Sequence, residues 1–492
     1  MKRLTWKKHH KCLGIGFAFF MLMFCVSGVV LNHRELLMDV NVSRAWLPDA
    51  YHFKQWNGGL LRGTLRIDDE ILIYGNSGIW EQTEGDQWSD FNQGLPASAD
   101  SRNIRAMAMM PDSTLLALGQ FGLYRYDTAK EQWSAPVLQP SEGERFSDMT
   151  VKGDTAVVVG RSWLYTCVAP YKDLQRIQLL PAMGDDGKVS LFRTVWSLHS
   201  GEMFGWVGKL VADMMAVVLT VLCFTGLIHW FMPKYIHRRK VRGQEVKAAA
   251  GVLKNNLNWH DKLGRYTFWI LMFIAVTGWC LRPPVLIALV KGRVPAIPYT
   301  IMDDENRWHD KLRMLRYDTS AGDWLLSTSE GLYTLGQLDA APVLVQSAPP
   351  ISVMGLNAWQ KDNGGRWLMG SFSGMFVWDR AKGISTDYFT GEVTKEVSGP
   401  PFGKFAVSGY TEDLCGKPIV VEYNEGTAEV PMPDELSTLP MSLWNLALEV
   451  HVGRIYTVLG PGTLIYIFFA GIAAIWCLYS GYKIRKPRKR KN

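Results

Sequence analysis

The sequence predicts an α-helical membrane bundle with four transmembrane helices, formed by tandem duplication, and an all-β domain outside the membrane. Four apolar segments are each close to the roughly 20 residues that a helix needs to cross a bilayer. Short motifs recur at an offset of about 250 residues, which indicates two copies of one unit within the 492-residue chain. The segments between the spans carry strand-like repeats, which favour a six-bladed β-propeller built from both halves.

Eight consecutive parts follow from the positions of the apolar segments. The third span is short when only its apolar residues are counted. The first span is longer than the apolar part of a signal peptide and no A-x-A-like cleavage site follows it, so we expect an uncleaved helix. The predicted parts are 1–33 (cytoplasmic N-terminus and first span), 34–198 (β domain, first half), 199–232 (second span), 233–259 (basic cytoplasmic linker), 260–284 (third span), 285–440 (β domain, second half), 441–482 (fourth span) and 483–492 (basic cytoplasmic tail).

Lysine and arginine are concentrated at the two ends of the chain and in the linker between the halves. Residues 1–11 contain five of them, residues 233–262 contain eight and residues 483–492 contain seven. Because basic residues are retained on the cytoplasmic side of a membrane, we expect these segments inside and the β domain in a bacterial periplasm. Attraction to anionic membrane lipid accounts for the basic segments, so no nucleic-acid partner is predicted.

The seven cysteines do not form a disulfide framework. Five lie in or beside spans, and only Cys167 and Cys415 lie in the outer segments, where one disulfide between them is an open alternative. The chain contains no C-x-x-C-H motif and no G-x-G-x-x-G or P-loop motif. The sequence therefore predicts no covalently attached haem and no dinucleotide or ATP site.

The duplication is clearest in the histidine motifs. H-x-x-L-G occurs at His10 and again at His260, and each histidine precedes a small residue plus glycine by eighteen positions. His199 in SLFRTVWSLHSG corresponds in the same way to His451 in SLWNLALEVHVG. Since both halves begin and end on the inner side, we expect parallel repeats related by an approximate two-fold axis along the membrane normal.

The outer segments show a shorter repeat, in which a β run, a turn containing glycine and an aromatic β run follow one another. It recurs at roughly 43-residue spacing, as in DDEILIYGNSGIWEQTEGDQW and DSTLLALGQFGLYRYDTAKEQW. This period is typical of four-stranded propeller blades, and three blades in each half would make six. Two separate β domains are the alternative, and blade packing explains the abundant tryptophan and tyrosine.

Four duplicated histidines are the candidate ligands of a metal cofactor. We expect His10 and His260 to meet near the inner membrane surface, and His199 and His451 to meet near the outer surface. Two neutral imidazoles that face each other across a helical bundle are the axial ligands that a b-type haem needs. The sequence therefore predicts two bis-histidine haems b, and the wide ligand spacing is not that of a zinc site.

Further residues near the span ends leave alternatives open. His33 could replace a member of the outer pair and His229 a member of the inner pair, although neither has a histidine at the corresponding position of the other half. Arg454 could bind a haem propionate or only anchor its helix at the membrane interface. Lys209 and Asp213, four residues apart, could neutralise each other on one helix face. Glycines near the four histidines could leave room for a flat macrocycle or serve helix ends and crossings: Gly14, Gly201, Gly264 and Gly453.

These motifs occur in a fixed order through the four spans, as H-x-x-L-G with SG or TG and then L-H-x-G with TG. The residues are His10, Leu13 and Gly14 with Ser27 and Gly28; Leu198, His199 and Gly201 with Thr225 and Gly226; His260, Leu263 and Gly264 with Thr277 and Gly278; and Val450, His451 and Gly453. This pattern resembles the PepSY-associated transmembrane helix family. The resemblance covers the four spans, whereas propeller-like blades stand where a PepSY module would be expected.

The resemblance implies a transmembrane ferric reductase. Some members of that family are inner-membrane di-haem reductases that help to release iron from ferric siderophores during import. A quinol or a cytoplasmic flavoprotein would supply electrons, a periplasmic iron complex would receive them, and no residue is assigned as a catalytic group. The alternatives are a membrane-anchored propeller that acts as a sensor or uptake accessory without catalysis, and an assembly factor of the envelope.

Overall fold

The helices and sheets of this computed structural model fall into two units. The structure describes residues 3–83, 87–136, 144–394, 403 and 405–484. The helical unit comprises Met1–Leu37, Gly187–Asp303 and Leu443–Asn492, and the β unit comprises Met38–Asp186 and Asp304–Ser442. Most of the basic tail expected over residues 483–492 lies outside the described residues.

Ten helices are present in the described part of the chain, and all but one belong to the helical unit. They are α1 (Arg3–Asn32), α2 (Arg34–Leu37), α3 (Leu191–Ser200), α4 (Gly205–Val241), α5 (Lys247–Tyr266), α6 (Phe268–Cys280), α7 (Val285–Leu289), α8 (Asp434–Ser437), α9 (Leu443–Val452) and α10 (Gly462–Lys483). Short 3-10 turns occupy Arg44–Trp46, Asp49–Tyr51, Glu202–Phe204 and Thr457–Leu459. A two-stranded antiparallel sheet in the helical unit pairs Lys188–Ser190 with Arg293–Pro295.

Three helical segments are each long and apolar enough to cross a membrane: Leu4–Asn32, Glu202–Val241 and Gly462–Lys483. A fourth segment qualifies only when α5 and α6 are taken together, and these two helices are bent by 66° at their junction. The apolar helix α6 contains 13 residues, which is too short to span a bilayer alone. This explains why the third span looks short in the sequence, because its inner part belongs to the more polar helix α5.

Helix α1 packs against α4, α9 and α10, and α6 packs against α3 and α10. Met215 and Leu222 of α4 are buried in a cluster with Leu271 of α6. The described helices of both halves therefore share one packed interior.

Gly201 and Gly453 end α3 and α9 in the same backbone conformation. Their φ angles are +81° and +82°, in the left-handed region that glycine adopts without strain. A Cβ added to Gly201 would lie 2.1 Å from the carbonyl oxygen of Gly208, and one added to Gly453 would lie 2.1 Å from the side chain of Ile467. Helix termination and close packing, the alternative that the sequence left open, account for both glycines.

The first half of the chain contributes three antiparallel sheets to the β unit, each with strands in sequential order. Sheet 1 comprises Gly63–Ile67, Glu70–Gly75, Gly78–Thr83 and Gln87–Asp90; sheet 2 comprises Ile104–Met109, Leu115–Gly119, Leu123–Asp127 and Gln132–Trp133; sheet 3 comprises Phe146–Lys152, Thr155–Gly160, Leu164–Cys167 and Gln175–Ile177.

The second half contributes three more antiparallel sheets, the number per half that the sequence repeat predicts. Sheet 4 comprises Leu312–Asp318, Asp323–Thr328, Gly331–Leu335 and Val343–Leu344; sheet 5 comprises Leu356–Lys361, Trp367–Ser371, Gly374–Asp379 and Ile384–Asp387; sheet 6 comprises Val407–Thr411 and Ile419–Glu422. Asn41–Val42 pairs with Met441–Ser442 in a separate two-stranded sheet. The first strands of sheets 2 to 6 share a register irregularity at their second residue, namely Arg105, Ser147, Arg313, Asn357 and Ser408.

Six buried apolar clusters lie between successive sheets, which is where alternating strands place their apolar side chains. Five of them join sheets 1 and 2, 2 and 3, 3 and 4, 4 and 5, and 5 and 6. The sixth joins sheet 6 to sheet 1, through Ile419 and Val421 on one side and Ile71 and Ile73 on the other. Each of sheets 1 to 6 is therefore packed against two neighbours.

Cys167 and Cys415 are both free thiols. Cys167 is buried in the cluster between sheets 2 and 3. Cys415 is exposed, and its thiol lies 3.3 Å from the carbonyl oxygen of Glu429. The open alternative of a disulfide between these two residues is not realised.

Candidate functional site

The inner pair of histidines comes together from two helices. His10 lies on α1 and His260 on α5, and their ring centroids are 6.0 Å apart with an angle of 61° between the ring planes. They are 250 positions apart in the sequence, so only the packing of the two halves brings them into contact.

The outer pair is assembled in the same way by the two short helices α3 and α9. The ring centroids of His199 and His451 are 6.1 Å apart, and the angle between the ring planes is 49°. Each histidine lies within the last two residues of its helix, immediately before the turn that leads to the next span. The structure therefore brings together the two pairs that the sequence repeat indicated.

Helix α1 sets the distance between the two layers. It carries His10 of the inner layer, and its residue Gly28 contacts His451 of the outer layer. Eighteen residues of continuous helix span about 27 Å at 1.5 Å per residue. That length is close to the hydrocarbon thickness of about 30 Å, so the two layers are separated by about the depth of a bilayer core.

Backbone carbonyls define the tautomer of one histidine in each layer. Nδ1 of His10 lies 2.9 Å from the carbonyl oxygen of Cys477, and Nδ1 of His199 lies 3.0 Å from that of Ile274. A carbonyl oxygen only accepts hydrogen bonds, so Nδ1 carries the hydrogen in both rings. The lone pair is consequently on Nε2, the nitrogen that then binds a metal.

Hydroxyl groups have the same effect on His260. Its Nδ1 lies 2.8 Å from Oγ1 of Thr225, whose own hydrogen is donated to the carbonyl of Val221 at 2.7 Å. The hydroxyl therefore accepts from Nδ1 and leaves the lone pair of His260 on Nε2.

The fourth histidine repeats this arrangement. Nδ1 of His451 lies 3.0 Å from Oγ of Ser27, and that hydroxyl donates to the carbonyl of Met23 at 2.6 Å. Each of the four imidazoles is thus oriented by a hydrogen bond at Nδ1, the contact that commonly orients metal-binding histidines.

A glycine of another helix faces each imidazole, and two of these contacts are very close. A Cβ added to Gly278 would lie 2.6 Å from Cε1 of His199, and one added to Gly481 would lie 2.8 Å from Cε1 of His10. Non-bonded contacts of a Cβ atom are essentially never shorter than 3.0 Å in proteins. Any larger residue at these two positions would displace the ring.

The other two contacts are looser. A Cβ at Gly28 would lie 3.4 Å from Cε1 of His451, and one at Gly226 would lie 3.5 Å from Cε1 of His260. All four contacts join opposite halves of the chain, since each histidine rests on a span of the other half. Each half of the chain therefore places its two histidines against glycines of the other half.

Each of these glycines follows a serine or threonine, and the four dipeptides are Ser27-Gly28, Thr225-Gly226, Thr277-Gly278 and Ser480-Gly481. Three of them were recognised in the sequence as companions of the histidine motifs. Sequence comparison missed Ser480-Gly481, although the same dipeptide at the inner end of the fourth span was a detectable signal.

The two histidine layers fit a haem better than a bare metal ion. Imidazoles bound on opposite sides of one metal, at about 2 Å each, place their ring centroids about 6 Å apart, close to both measured separations. Within the described ranges, no three His, Cys, Asp or Glu side chains come together as a metal site. Two ligands leave a zinc ion half-coordinated, whereas a tetrapyrrole supplies four further nitrogens to iron.

The two alternative histidines lie outside the facing pairs. Nε2 of His33 is 2.8 Å from a carboxylate oxygen of Asp213, whose other oxygen accepts from Nδ2 of Asn32 at 2.9 Å. His33 is thus hydrogen-bonded to Asp213 rather than paired with another histidine. His229 lies on α4 one helical turn beyond Thr225, whose hydroxyl contacts Nδ1 of His260.

Asp213 therefore has His33 and Asn32 as its hydrogen-bonded partners, whereas the sequence pointed to Lys209.

Arg454 is paired with a carboxylate of its own segment. Its side chain, 59% exposed, bonds both carboxylate oxygens of Glu449, and Nε is 2.9 Å from one of them. The cation that contacts the outer layer is Arg282, whose Nη2 donates to the carbonyl oxygen of His451 at 2.7 Å. The structure therefore places Arg282, and not Arg454, in hydrogen-bond contact with a histidine of the outer layer. The sequence had indicated Arg282 only as the edge of the third span.

A family model described as the PepSY-associated TM region matches residues 1–232 and 82–484. These matches cover nearly the whole chain. The protein belongs to the PepSY-associated transmembrane region family. The resemblance predicted from the histidine motifs is thereby confirmed, and this member of the family carries its antiparallel sheets between its spans.

Two crystal structures of the extracellular domain of BT4673 from B. thetaiotaomicron are similar to the chain in part. Their sequence identities are 10% and 9%, and their TM-scores are 0.33 and 0.34. Each alignment covers 79% of this PepSY-associated protein and 39% of the other chain, so the protein spans well under half the length of these structures. No curated protein matches the sequence.

Proposed function

We propose that the protein is a b-type di-haem membrane reductase that passes electrons from a quinol or a cytoplasmic donor to a periplasmic ferric complex, such as a ferric siderophore. The observation that carries this proposal is the pair of facing imidazoles in each of two layers, both with Nδ1 held as a donor. When bound, each haem b would supply an iron that takes up and releases one electron.

The residues of the chain would hold, orient and separate the two groups. His10 and His260 would provide the axial nitrogens of the inner haem, and His199 and His451 those of the outer haem. Hydrogen bonds at Nδ1 orient each ring and increase its basicity as a ligand. A glycine opposite each ring leaves room for the imidazole, and at Gly278 and Gly481 an added Cβ would not fit beside it.

We further propose that the spans form a four-helix bundle in the bacterial inner membrane, with both chain ends in the cytoplasm. The packing of α1 against α4 and α10, and of α6 against α10, supports this arrangement. Basic residues in the described linker, among them Arg238, Arg239 and Lys240, support its cytoplasmic position.

The β unit would be a six-bladed propeller in the periplasm, where it would present the iron complex. Six sheets packed in succession, with an apolar cluster between the sixth and the first, support a closed ring. Hydrogen bonds across that junction add to this support: the amide of Tyr410 donates to the carbonyl of Arg62 at 3.2 Å, and the hydroxyls of Thr64 and Thr411 are 2.7 Å apart.

The visible spectrum of the purified full-length protein tests the proposal. Expression with ample haem should give a Soret band that shifts on reduction with dithionite, and a pyridine haemochrome assay should give two haems b per chain. The double variant His199→Ala/His451→Ala should retain one haem, and His10→Ala/His260→Ala should also retain one.

His237→Ala is the matched control, because His237 is exposed on the cytoplasmic extension of α4 and belongs to neither layer. It should keep both haems. Colourless wild-type protein would overturn the reductase and leave the membrane-anchored sensor or uptake accessory as the function to test. Loss of both haems from a folded double variant would contradict two independent layers.

A further inference from the structure

Arg282 joins the end of α6 to the end of α9, beside the outer histidine layer. Its guanidinium Nη2 donates to the carbonyl oxygen of His451 at 2.7 Å, and its side chain is only partly exposed. A positive charge therefore lies against the outer layer itself.

Two other charged side chains at this end of the helical unit have their own partners. Arg454 is paired with Glu449, and Asp213 is hydrogen-bonded to His33 and Asn32. In the part of the chain that the structure describes, no carboxylate lies within ion-pair distance of Arg282, and its bond is to a carbonyl. Its full charge thus acts on the surroundings of the outer imidazoles.

The inner layer has a different electrostatic environment. Lys7 and Lys11 lie on either side of His10 in the sequence of α1, and both side chains are exposed. Charges in contact with water are screened within about 10 Å at ordinary ionic strength, and partly buried charges are screened much less. Among the described residues, only the outer layer has a partly buried cation that is hydrogen-bonded to one of its histidines.

We propose that Arg282 raises the reduction potential of the outer haem relative to the inner one, and so favours electron transfer toward the periplasmic side. This inference rests on the proposed function. A fixed positive charge stabilises a redox centre after it accepts an electron, because reduction removes one unit of positive charge. An unpaired cation at a partly desolvated site should change the equilibrium constant for reduction by about tenfold or more.

A purely structural role is the competing explanation. Arg282 satisfies a carbonyl in the last turn of α9, and such carbonyls need a donor from outside the helix. A structural role alone would alter the stability or the haem content of the protein, whereas a charge effect alters the potential of one haem. The reduction potential therefore separates the two explanations.

The test is a spectroelectrochemical titration of the full-length protein in detergent, with the outer wave assigned by its absence from the His199→Ala/His451→Ala variant. Arg282→Gln removes the charge and retains a donor, and Arg282→Lys retains the charge. The Gln variant should lower the outer midpoint potential by about the 59 mV that corresponds to a tenfold change for one electron. The inner wave should not move, and the Lys variant should restore most of the shift.

Glu449→Gln/Arg454→Gln is the matched control, since it removes an exposed ion pair close in the chain to His451 without changing the net charge. It should leave both waves unchanged. Unshifted waves in Arg282→Gln, an equal shift of both waves, or no recovery in Arg282→Lys would overturn the inference. Loss of the outer haem from Arg282→Gln would show that Arg282 has only a structural role and would overturn the inference. Absence of haem from the wild-type protein would overturn the proposed function instead.

Discussion

His199 rests on Gly278 so closely that a single added methyl group at Gly278 would lie 2.6 Å from Cε1 of the ring. This contact joins α3 of the first half to α6 of the second half. It repeats at the inner end of the unit, where His10 rests on Gly481. The position of each imidazole therefore depends on the absence of a side chain on the opposite helix.

Alanine at the four facing glycines should reduce haem content in order of the contact distances. Gly278→Ala should cause loss of the outer haem, because the added methyl group displaces the ring of His199. Gly481→Ala should cause loss of the inner haem, because it displaces the ring of His10. Gly28→Ala and Gly226→Ala should have smaller effects, since their contacts are 3.4 Å and 3.5 Å. The pyridine haemochrome assay measures the number of haems per chain.

Gly16→Ala provides the control for that series. Gly16 lies on α1, and nothing in the described structure is within 4 Å of an added Cβ. This variant should keep two haems. Equal losses in Gly16→Ala and Gly278→Ala would point to general instability of the helices and against a specific contact with the ring.

Removing a hydroxyl that accepts from Nδ1 should weaken haem binding without abolishing it. Thr225→Val keeps the shape of the side chain but leaves Nδ1–H of His260 without its acceptor. Loss of such a contact typically lowers metal affinity by about 10- to 100-fold. Haem dissociation to an acceptor protein should therefore accelerate for the inner haem, while the outer haem is unaffected.

Thr220→Val is a suitable comparison on the same helix, where the hydroxyl donates to the carbonyl of Ala216. It should leave the dissociation rates of both haems near those of the wild type. Identical rates in Thr225→Val and the wild type would mean that this hydroxyl does not orient His260.

His33→Ala should retain both haems. Nε2 of His33 is held by Asp213, and the ring does not face either layer. His229→Ala should likewise retain both, because the inner layer is complete with His10 and His260. Loss of a haem from either variant, measured by the same haemochrome assay, would return that histidine to the ligand set.

The β unit should lose stability on acidification through Asp318. This carboxylate is 2% exposed and bonds to Lys361 and Arg380 at 2.7 Å each. Burial alone would raise the pKa of the carboxyl, but hydrogen bonds from Lys361, Ser320 and Arg380 outweigh burial and lower the pKa. A lowered folded-state pKa contributes stability above the unfolded value of about 3.9, and that stability is lost as the pH falls through the folded-state pKa.

Asp318→Asn should therefore destabilise the protein by about 3 kcal/mol at pH 7, because the buried carboxylate that binds the partly buried Lys361 and Arg380 is lost, and only Arg380 keeps another carboxylate, Asp323. The difference from the wild type should shrink as the pH is lowered below about 4. Urea unfolding of the full chain in detergent, followed by tryptophan fluorescence, measures both effects. Lys130→Ala, at an exposed pair with Asp127, should change little, and a pH-independent deficit in Asp318→Asn would contradict the assignment.

Local pattern predicted the apolar helices, and the matching positions of the histidine motifs in the two halves predicted which histidines meet. An apolar run of about 20 residues is long enough to span a bilayer as a helix, and repeated motifs indicate repeated structural units. The bend before α6 was visible only as a short apolar run, since its angle depends on how α5 packs against α4. The partners of Arg454 and Asp213 could not be predicted from the sequence. Each of these two side chains has more than one possible polar partner within reach along the chain.

By itself, the sequence predicted the apolar helices that are long enough to cross a membrane, the three sheets in each half and the family to which the chain belongs. These features follow from periodicity, composition and order along the chain. Only the tertiary structure decided which glycine receives each imidazole, which ring nitrogen carries the hydrogen, and that Arg282 rather than Arg454 contacts the outer layer. Those relationships join residues far apart in sequence, and such contacts are set by how helices pack, which no single segment encodes.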